Sequence, residues 1–182
     1  LPRQGGRNAA QMLQGGLKAV LLLNTEPAFD AANGAAAVQA LGQAEMVVTL
    51  SPFKANLDIS DVLLPISPFT ETAGTFINTE GRAQSFHGVV KPLAETRPAW
   101  KVLRVLGSML NLPGFEVETV EQVRAKAIPA NLQALLSNDC SASIDTAAAS
   151  AAPCTATIYQ LDGLVRRAAS LQQTADAKTG AL

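Results

Sequence analysis

The sequence predicts an α/β fold: part of a doubly wound parallel sheet, followed by a helical C-terminal extension. Two short aliphatic runs, residues 17–23 (LKAVLLL) and 46–50 (MVVTL), bracket an alanine-rich stretch at 30–43. A strand–helix–strand unit of that length implies a crossover between parallel strands. Beyond residue 98 the apolar residues recur at helical spacing, and alternating strand runs become scarce.

Each element has its own local warrant. Residues 17–23 follow Gly15-Gly16 and leave through Asn24-Thr25-Glu26-Pro27. A continuous apolar run with a polar exit predicts a strand covered on both faces. Residues 30–43 favour helix, with an interruption at Asn33-Gly34. The second strand ends at Ser51-Pro52, and 61–65 (DVLLP) supplies the third. Residues 70–86 are polar and punctuated by glycine, which predicts an irregular loop and a hairpin of 74–77 against 83–86, turning at Glu80-Gly81.

Pro98 opens a helix whose Ala99, Val102, Leu103, Leu106, Met109 and Leu110 share one face, with Lys101 and Arg104 pointing away. Asn111 and Pro113-Gly114 end it. Thr119 and Gln122 form a capping box for a short helix carrying Val120 and Val123, and Pro129 opens another with Leu132, Leu135 and Leu136. Residues 137–157, rich in Ala and Ser, read as an exposed linker. Leu161, Leu164, Val165, Ala168 and Leu171 predict a last amphipathic helix, supported by Asp162 and Arg166 one turn apart, with a fraying tail from Thr174. On this reading residues 1–112 form the α/β domain and 113–182 the extension.

Composition excludes several functions. Fourteen basic against fifteen acidic residues leave no basic face for a nucleic-acid backbone. The longest apolar run, 19–23, is of strand length and far short of a membrane span, so direct membrane insertion is not expected. Aromatics at 4% imply a core of small aliphatic side chains. Cys140 and Cys154 form no CxxC pair and no disulfide framework, and the single histidine, His87, excludes a His-rich metal site. The start at Leu1-Pro2-Arg3-Gln4, without Met or a signal-peptide pattern, reads as a piece of a longer protein.

Residues 60–65 (SDVLLP) and 71–84 (ETAGTFINTEGRAQ) carry the pattern DVxLP, then E-x-x-GTFxNxEGRxQ. With Lys91-Pro92-Leu93 and Arg97-Pro98-Ala99-Trp100 ahead of a helix, this resembles the molybdopterin oxidoreductase superfamily. Within it, residues 17–112 resemble the large iron–sulfur subunit of bacterial NADH-quinone oxidoreductases, respiratory complex I. That resemblance implies an enzyme that passes electrons from NADH through iron–sulfur clusters to quinone and couples this to ion translocation. It implies a peripheral position on the cytoplasmic side of the bacterial inner membrane, with other peripheral-arm subunits as partners. The cluster-binding cysteines would lie in a part N-terminal to this sequence. Cys140 and Cys154 are too isolated for a four-cysteine cluster. The expectation for this chain is therefore a scaffold with no catalytic residue, metal site or cofactor of its own.

The rival reading is the C-terminal part of a catalytic molybdopterin oxidoreductase such as a formate dehydrogenase. There the resemblance implies that the glycine-rich loop lies close to a pterin dinucleotide, with Glu71, Gly74, Thr75, Asn78, Glu80, Gly81, Arg82 and Gln84 as candidates. The glycines would let backbone approach a ligand, Asn78 and Gln84 could pair with amide edges, and Arg82 could fork onto a phosphate. The same residues read equally as a self-contained loop, with Glu71 or Glu80 on Arg82 and Asn78 tying down its own turn. A catalytic member would continue into a strand-rich barrel, whereas 115–182 reads as short helices and linker, which favours the scaffold. A free-standing binding module is a third reading and predicts a stable monomer.

Polar chemistry also lies at one histidine and one loop outside these stretches. His87 reads as a capped turn residue or as a general base, with no nucleophile motif beside it. Asn24 to Pro27 sit at the carboxyl end of a strand, where open α/β sheets receive ligands. Superfamily members with a dinucleotide commonly carry a glycine early in that loop, where this chain has Asn24.

Overall fold

The computed structural model describes residues 6–136 and 157–179. The chain is mixed α/β with a small parallel sheet. In order it runs α1 (Ala9–Met12), β1 (Ala19–Leu23), α2 (Pro27–Asp30), α3 (Gly34–Leu41), β2 (Met46–Ser51) and β3 (Val62–Pro65). A hairpin of β4 (Gly74–Ile77) and β5 (Ala83–Phe86) follows, then α4 (Ala99–Met109) and α5 (Val120–Ala127). Single turns α6 (Ile158–Leu161), α7 (Ala169–Gln172) and α8 (Ala175–Thr179) lie near the C-terminus. Short 3₁₀ turns occur at Phe69–Glu71, Leu132–Leu135 and Val165–Arg167. The linker at 137–157 and both cysteines lie outside the described residues, apart from Thr157.

The sheet has the order β1-β2-β3, with α2 and α3 forming the crossover between β1 and β2. Asp61 donates to the Val47 carbonyl at 2.9 Å and Ile66 to the Ser51 carbonyl at 3.2 Å. Both strands thus advance together, as parallel pairing requires. The connection from β2 to β3 contains no helix. It turns at Asn56, whose φ of 58° is left-handed and whose Nδ2 donates to the Thr25 carbonyl at 2.9 Å.

The chain divides into two compact units. One holds Leu1–Thr49, Ala55–Val62 and Ile144–Leu182. Its core gathers Leu22, Leu41 and Val47, with Leu13, Val20, Ala44 and Ile59 packed against them. The other holds Leu50–Lys54 and Leu63–Ser143, with Leu50 and Ile66 fully buried. Its α4 buries the face around Gly107, against which the Phe115 ring sits where a side chain would otherwise stand.

Several expectations need correcting. β1 is not covered on both faces among the described residues: Leu21 is 44% and Leu23 41% exposed. An unbroken apolar run does not by itself report two-sided burial. The helix read over 30–43 spans only Gly34–Leu41: α2 ends at Asp30, and Asn33, read as an interruption, caps α3, its Oδ1 accepting from the Ala36 N–H at 3.0 Å. Met109 and Leu110 lie on the exposed part of α4 while Arg104 is half-buried, so the covered face is rotated from the one periodicity drew. Asn8 and Gln11 close a capping box on α1, an element the sequence reading did not include. The final helix is broken, since Asp162 accepts from the N–H groups of Leu164 and Val165 and turns the chain there. The tail from Thr174 forms α8 instead of fraying.

Candidate functional site

The hairpin forms with Gly74 opposite Phe86 and Ile77 opposite Ala83, the register the sequence predicts. Its turn is built by Asn78. That residue's Oδ1 accepts from the N–H groups of Glu80 at 3.1 Å and Arg82 at 2.9 Å, and its carbonyl accepts from Gly81 at 2.9 Å. Gly81 needs a left-handed φ of 78°, and Leu136 occupies the space a side chain there would take. Gly74 is covered in the same way by the ring of Phe86, which stacks on Phe76 with centroids 4.9 Å apart. Both glycines serve approach by a neighbouring side chain.

The other candidates separate into two groups. Glu71 Oε2 accepts from the Leu93 N–H at 3.0 Å, and Thr75 Oγ1 lies 3.0 Å from Ser85 Oγ. Glu80, Arg82 and Gln84 are exposed, and Arg82 makes no ion pair among the described residues. The Glu71–Arg82 and Glu80–Arg82 pairs weighed from the sequence are therefore not formed. A pterin dinucleotide calls for free amide edges and phosphate donors converging on one space. Here the Asn78 side-chain oxygen is spent on its own turn, both glycines are covered by neighbouring side chains, and Glu80, Arg82 and Gln84 are exposed. This donor set does not fit the group.

Because Asn78 holds two backbone donors, Asn78→Ala is expected to destabilise the hairpin by about 1 kcal/mol. Asn78→Asp, which keeps the acceptor, should lose less. Amide exchange of Glu80 and Arg82 reads the difference.

His87 lines a cavity of about 250 Å³ with Thr75, Ser85, Glu121 and Arg124. The Ser85 hydroxyl is held by Arg124 Nη1 at 2.8 Å and by Thr75, not by His87. The hydroxyl–imidazole pairing that nucleophilic catalysis needs is thus absent among the described residues. Glu121 is held below the ordinary carboxylate range, chiefly by its own backbone N–H, then by the Thr119 hydroxyl, with smaller help from Arg124 and His87. The predicted Thr119–Gln122 capping box, which sets this first turn, is present.

The carboxyl end of β1 carries a dense cluster of bonded polar groups. Asn24 adopts φ 50°, the left-handed conformation glycine favours, so the backbone shape survives with a side chain added. Asp30 Oδ2 ties α2 back to the preceding loop by accepting from the Glu26 N–H at 2.7 Å and the Thr25 hydroxyl at 3.2 Å. Onto this loop close two arginines from the far end of the sequence. Arg166 Nη2 donates to Asp30 Oδ1 at 2.9 Å, Arg166 Nη1 lies 3.3 Å from Glu26 Oε1, and its guanidinium stacks 4.6 Å from the Phe29 ring. Arg167 forks onto both Glu26 oxygens at 2.8 and 2.9 Å.

Burial raises the Asp30 pKa, and the Glu26 N–H together with Arg166 and Thr25 outweighs it, leaving the carboxyl below its ordinary value. The sequence flagged the Asn24–Pro27 loop but paired Arg166 with Asp162. Its partner Asp30 is 136 residues away, and the only local hint was two adjacent arginines in an apolar segment.

No group of residues able to hold a metal ion occurs among the described residues, and none of their helices is long and apolar enough to cross a membrane. Comparison with known proteins matches residues 1–109 to the molybdopterin oxidoreductase family. Over 63 residues the chain is 44% identical to the 78 kDa subunit of the mitochondrial NADH-ubiquinone oxidoreductase of Candida albicans, covering 34% of this chain and 9% of that protein. It is 45% identical over 57 residues to a "Putative formate dehydrogenase" of Staphylococcus aureus, covering 31% of this chain and 6% of that protein. It is 27% identical over 109 residues to a nitrate reductase of Shewanella frigidimarina, covering 59% and 12% respectively. The matches thus span 12% or less of these relatives' length. The family match covers more than half of the sequence, and the chain belongs to the molybdopterin oxidoreductase family.

Proposed function

We propose that this chain is a non-catalytic structural segment of the large iron–sulfur subunit of an NADH:quinone oxidoreductase. Its three parallel strands are then part of a doubly wound sheet, and its partners are other peripheral-arm subunits on the cytoplasmic side of the bacterial inner membrane. Iron–sulfur clusters belong to a different part of the subunit, and this segment carries no cofactor. One observation carries the reading: the 71–84 loop, which a catalytic relative would turn toward a pterin, binds its own backbone through Asn78 and closes both glycines with Leu136 and Phe86. Similarity to the 78 kDa subunit of an NADH-ubiquinone oxidoreductase agrees with this reading, while the similarity to a putative formate dehydrogenase is of the same size and makes the rival one worth testing.

Elemental analysis for iron, molybdenum and tungsten, with pterin fluorescence after oxidation, tests it on the native full-length protein. Iron without molybdenum, tungsten or pterin is the expected result. Stoichiometric molybdenum or tungsten with pterin overturns it in favour of a catalytic oxidoreductase such as a formate dehydrogenase, with residues 71–84 on the cofactor.

A further inference from the structure

We propose that residues 157–179 are a strap that closes the carboxyl end of β1, with Arg166 and Arg167 seated on Glu26 and Asp30 where an open parallel sheet would receive a ligand. The inference goes beyond the scaffold reading and does not depend on it.

Location supplies the first argument, since ligands of such sheets bind at the carboxyl ends of the strands. The seat is also built. The Arg166 side chain is 6% exposed and Glu26 14%, well below what surface ion pairs show, and the Arg167 fork fixes orientation as well as charge. The arginines are anchored from behind: Arg166 Nη2 also donates to the Leu161 carbonyl at 3.2 Å, and Arg167 Nη1 to the Gly163 carbonyl at 2.9 Å.

The segment depends on this seat for its order. α6, α7 and α8 are four or five residues long and contain no fully buried residue. Helices of one turn do not persist unaided in water. Docking therefore rests on the arginines, with Gln172 bridging to the carbonyls of Tyr159 and Val165 to hold the strap's own shape. The break at Asp162 is part of the device. A continuous helix would send Arg166 back to Asp162, whereas spending Asp162 on the Leu164 and Val165 N–H groups leaves Arg166 for the distant acids. Arg166 Nε is buried and finds no acceptor among the described residues, so the seat is held through the two Nη groups.

Hydrogen exchange on the full chain tests the strap, comparing the parent with Arg167→Glu, Arg167→Gln and Arg167→Lys. Expected is at least a tenfold rise in exchange across 158–172 for Arg167→Glu and a smaller rise for Arg167→Gln, with the β4 and β5 amides unmoved. Arg167→Lys, which keeps the charge beside Glu26 without the fork, should keep more of the protection than Arg167→Gln. Should Arg167→Glu fail to fold, Arg167→Gln and Arg167→Lys carry the same comparison. Unchanged exchange at 158–172 in Arg167→Gln, or Arg167→Lys as open as Arg167→Gln, overturns the proposal.

Discussion

Ile66→Ala is expected to destabilise the chain by about 2–5 kcal/mol in urea unfolding, the range for truncating a fully buried aliphatic side chain. Ile66 is 0% exposed and among the four largest side chains buried to that degree, with Leu50, Val47 and Thr49. Aromatics are only 4% of the sequence, so few bulky groups are available to collapse into the space left behind. The position also ends the sheet. Its N–H donates to the Ser51 carbonyl at 3.2 Å, it bridges Arg97 in parallel, and Ser67 beside it donates to the Arg97 carbonyl at 2.9 Å. These bonds fix the backbone from which the 69–93 loop departs, so the cavity opens at the root of the candidate site. Met109→Ala is the control: at 76% exposed it should stay within about 0.5 kcal/mol of the parent. A cost for Ile66→Ala below about 1 kcal/mol would mean that the second unit relaxes freely and lacks a packed core.

Signals that act within a few residues were legible in the sequence. The hairpin register follows from the glycines and turn residues between 74 and 86, and the Thr119–Gln122 box from its own spacing. Failures occurred where a side chain competes with the helix for backbone donors. Asp162 sits at helical spacing from Arg166, yet its carboxylate takes two N–H groups and stops the helix. Asn33, read as an interruption, is the cap that starts α3.

The site was legible in pieces. The sequence marked the 24–27 loop and the 71–84 loop, and it offered both a ligand-binding and a self-tied reading of the latter. The turn at Asn78 follows the second, while Glu71 takes Leu93 as partner, a choice made by the return of the chain 22 residues on. Glu26 and Asp30 meeting Arg166 and Arg167 is a contact of the folded state between opposite ends of the sequence. No periodicity or motif encodes such a pair, because neither partner constrains the residues next to the other.

The approach of α2 to α3 decides whether those acids are presented at all, and Gly34→Ala probes it. Intrinsic helix preference argues that the substitution should stabilise by up to about 1 kcal/mol, since alanine loses less backbone freedom. Contact geometry argues the reverse. A Cβ on Gly34 would stand 2.0 Å from the Ala28 carbonyl oxygen, 2.7 Å from its carbon and 3.0 Å from its Cα. These are backbone atoms of α2 and cannot swing aside, so the helices must part. The expected net cost is about 1–3 kcal/mol, the usual range for overpacking, with the propensity gain already absorbed.

Gly42→Ala separates the two effects. Gly42 has an ordinary right-handed φ of -65° and its added Cβ would meet the Val38 and Gln39 carbonyl oxygens at 3.4 and 3.7 Å, ordinary contact distances, so a neutral or slightly stabilising change is expected there. Parting α2 from α3 also moves the Glu26 carbonyl, which accepts from Phe29 and Asp30 in the first turn of α2, and with it the carboxylates beneath the arginines. Gly34→Ala should therefore raise amide exchange at 158–172 as well as lower stability, while Gly42→Ala does neither. If Gly34→Ala costs stability but leaves that exchange unchanged, the acids are positioned by the Asp30–Glu26 N–H hydrogen bond alone, and the close helix contact serves only the core.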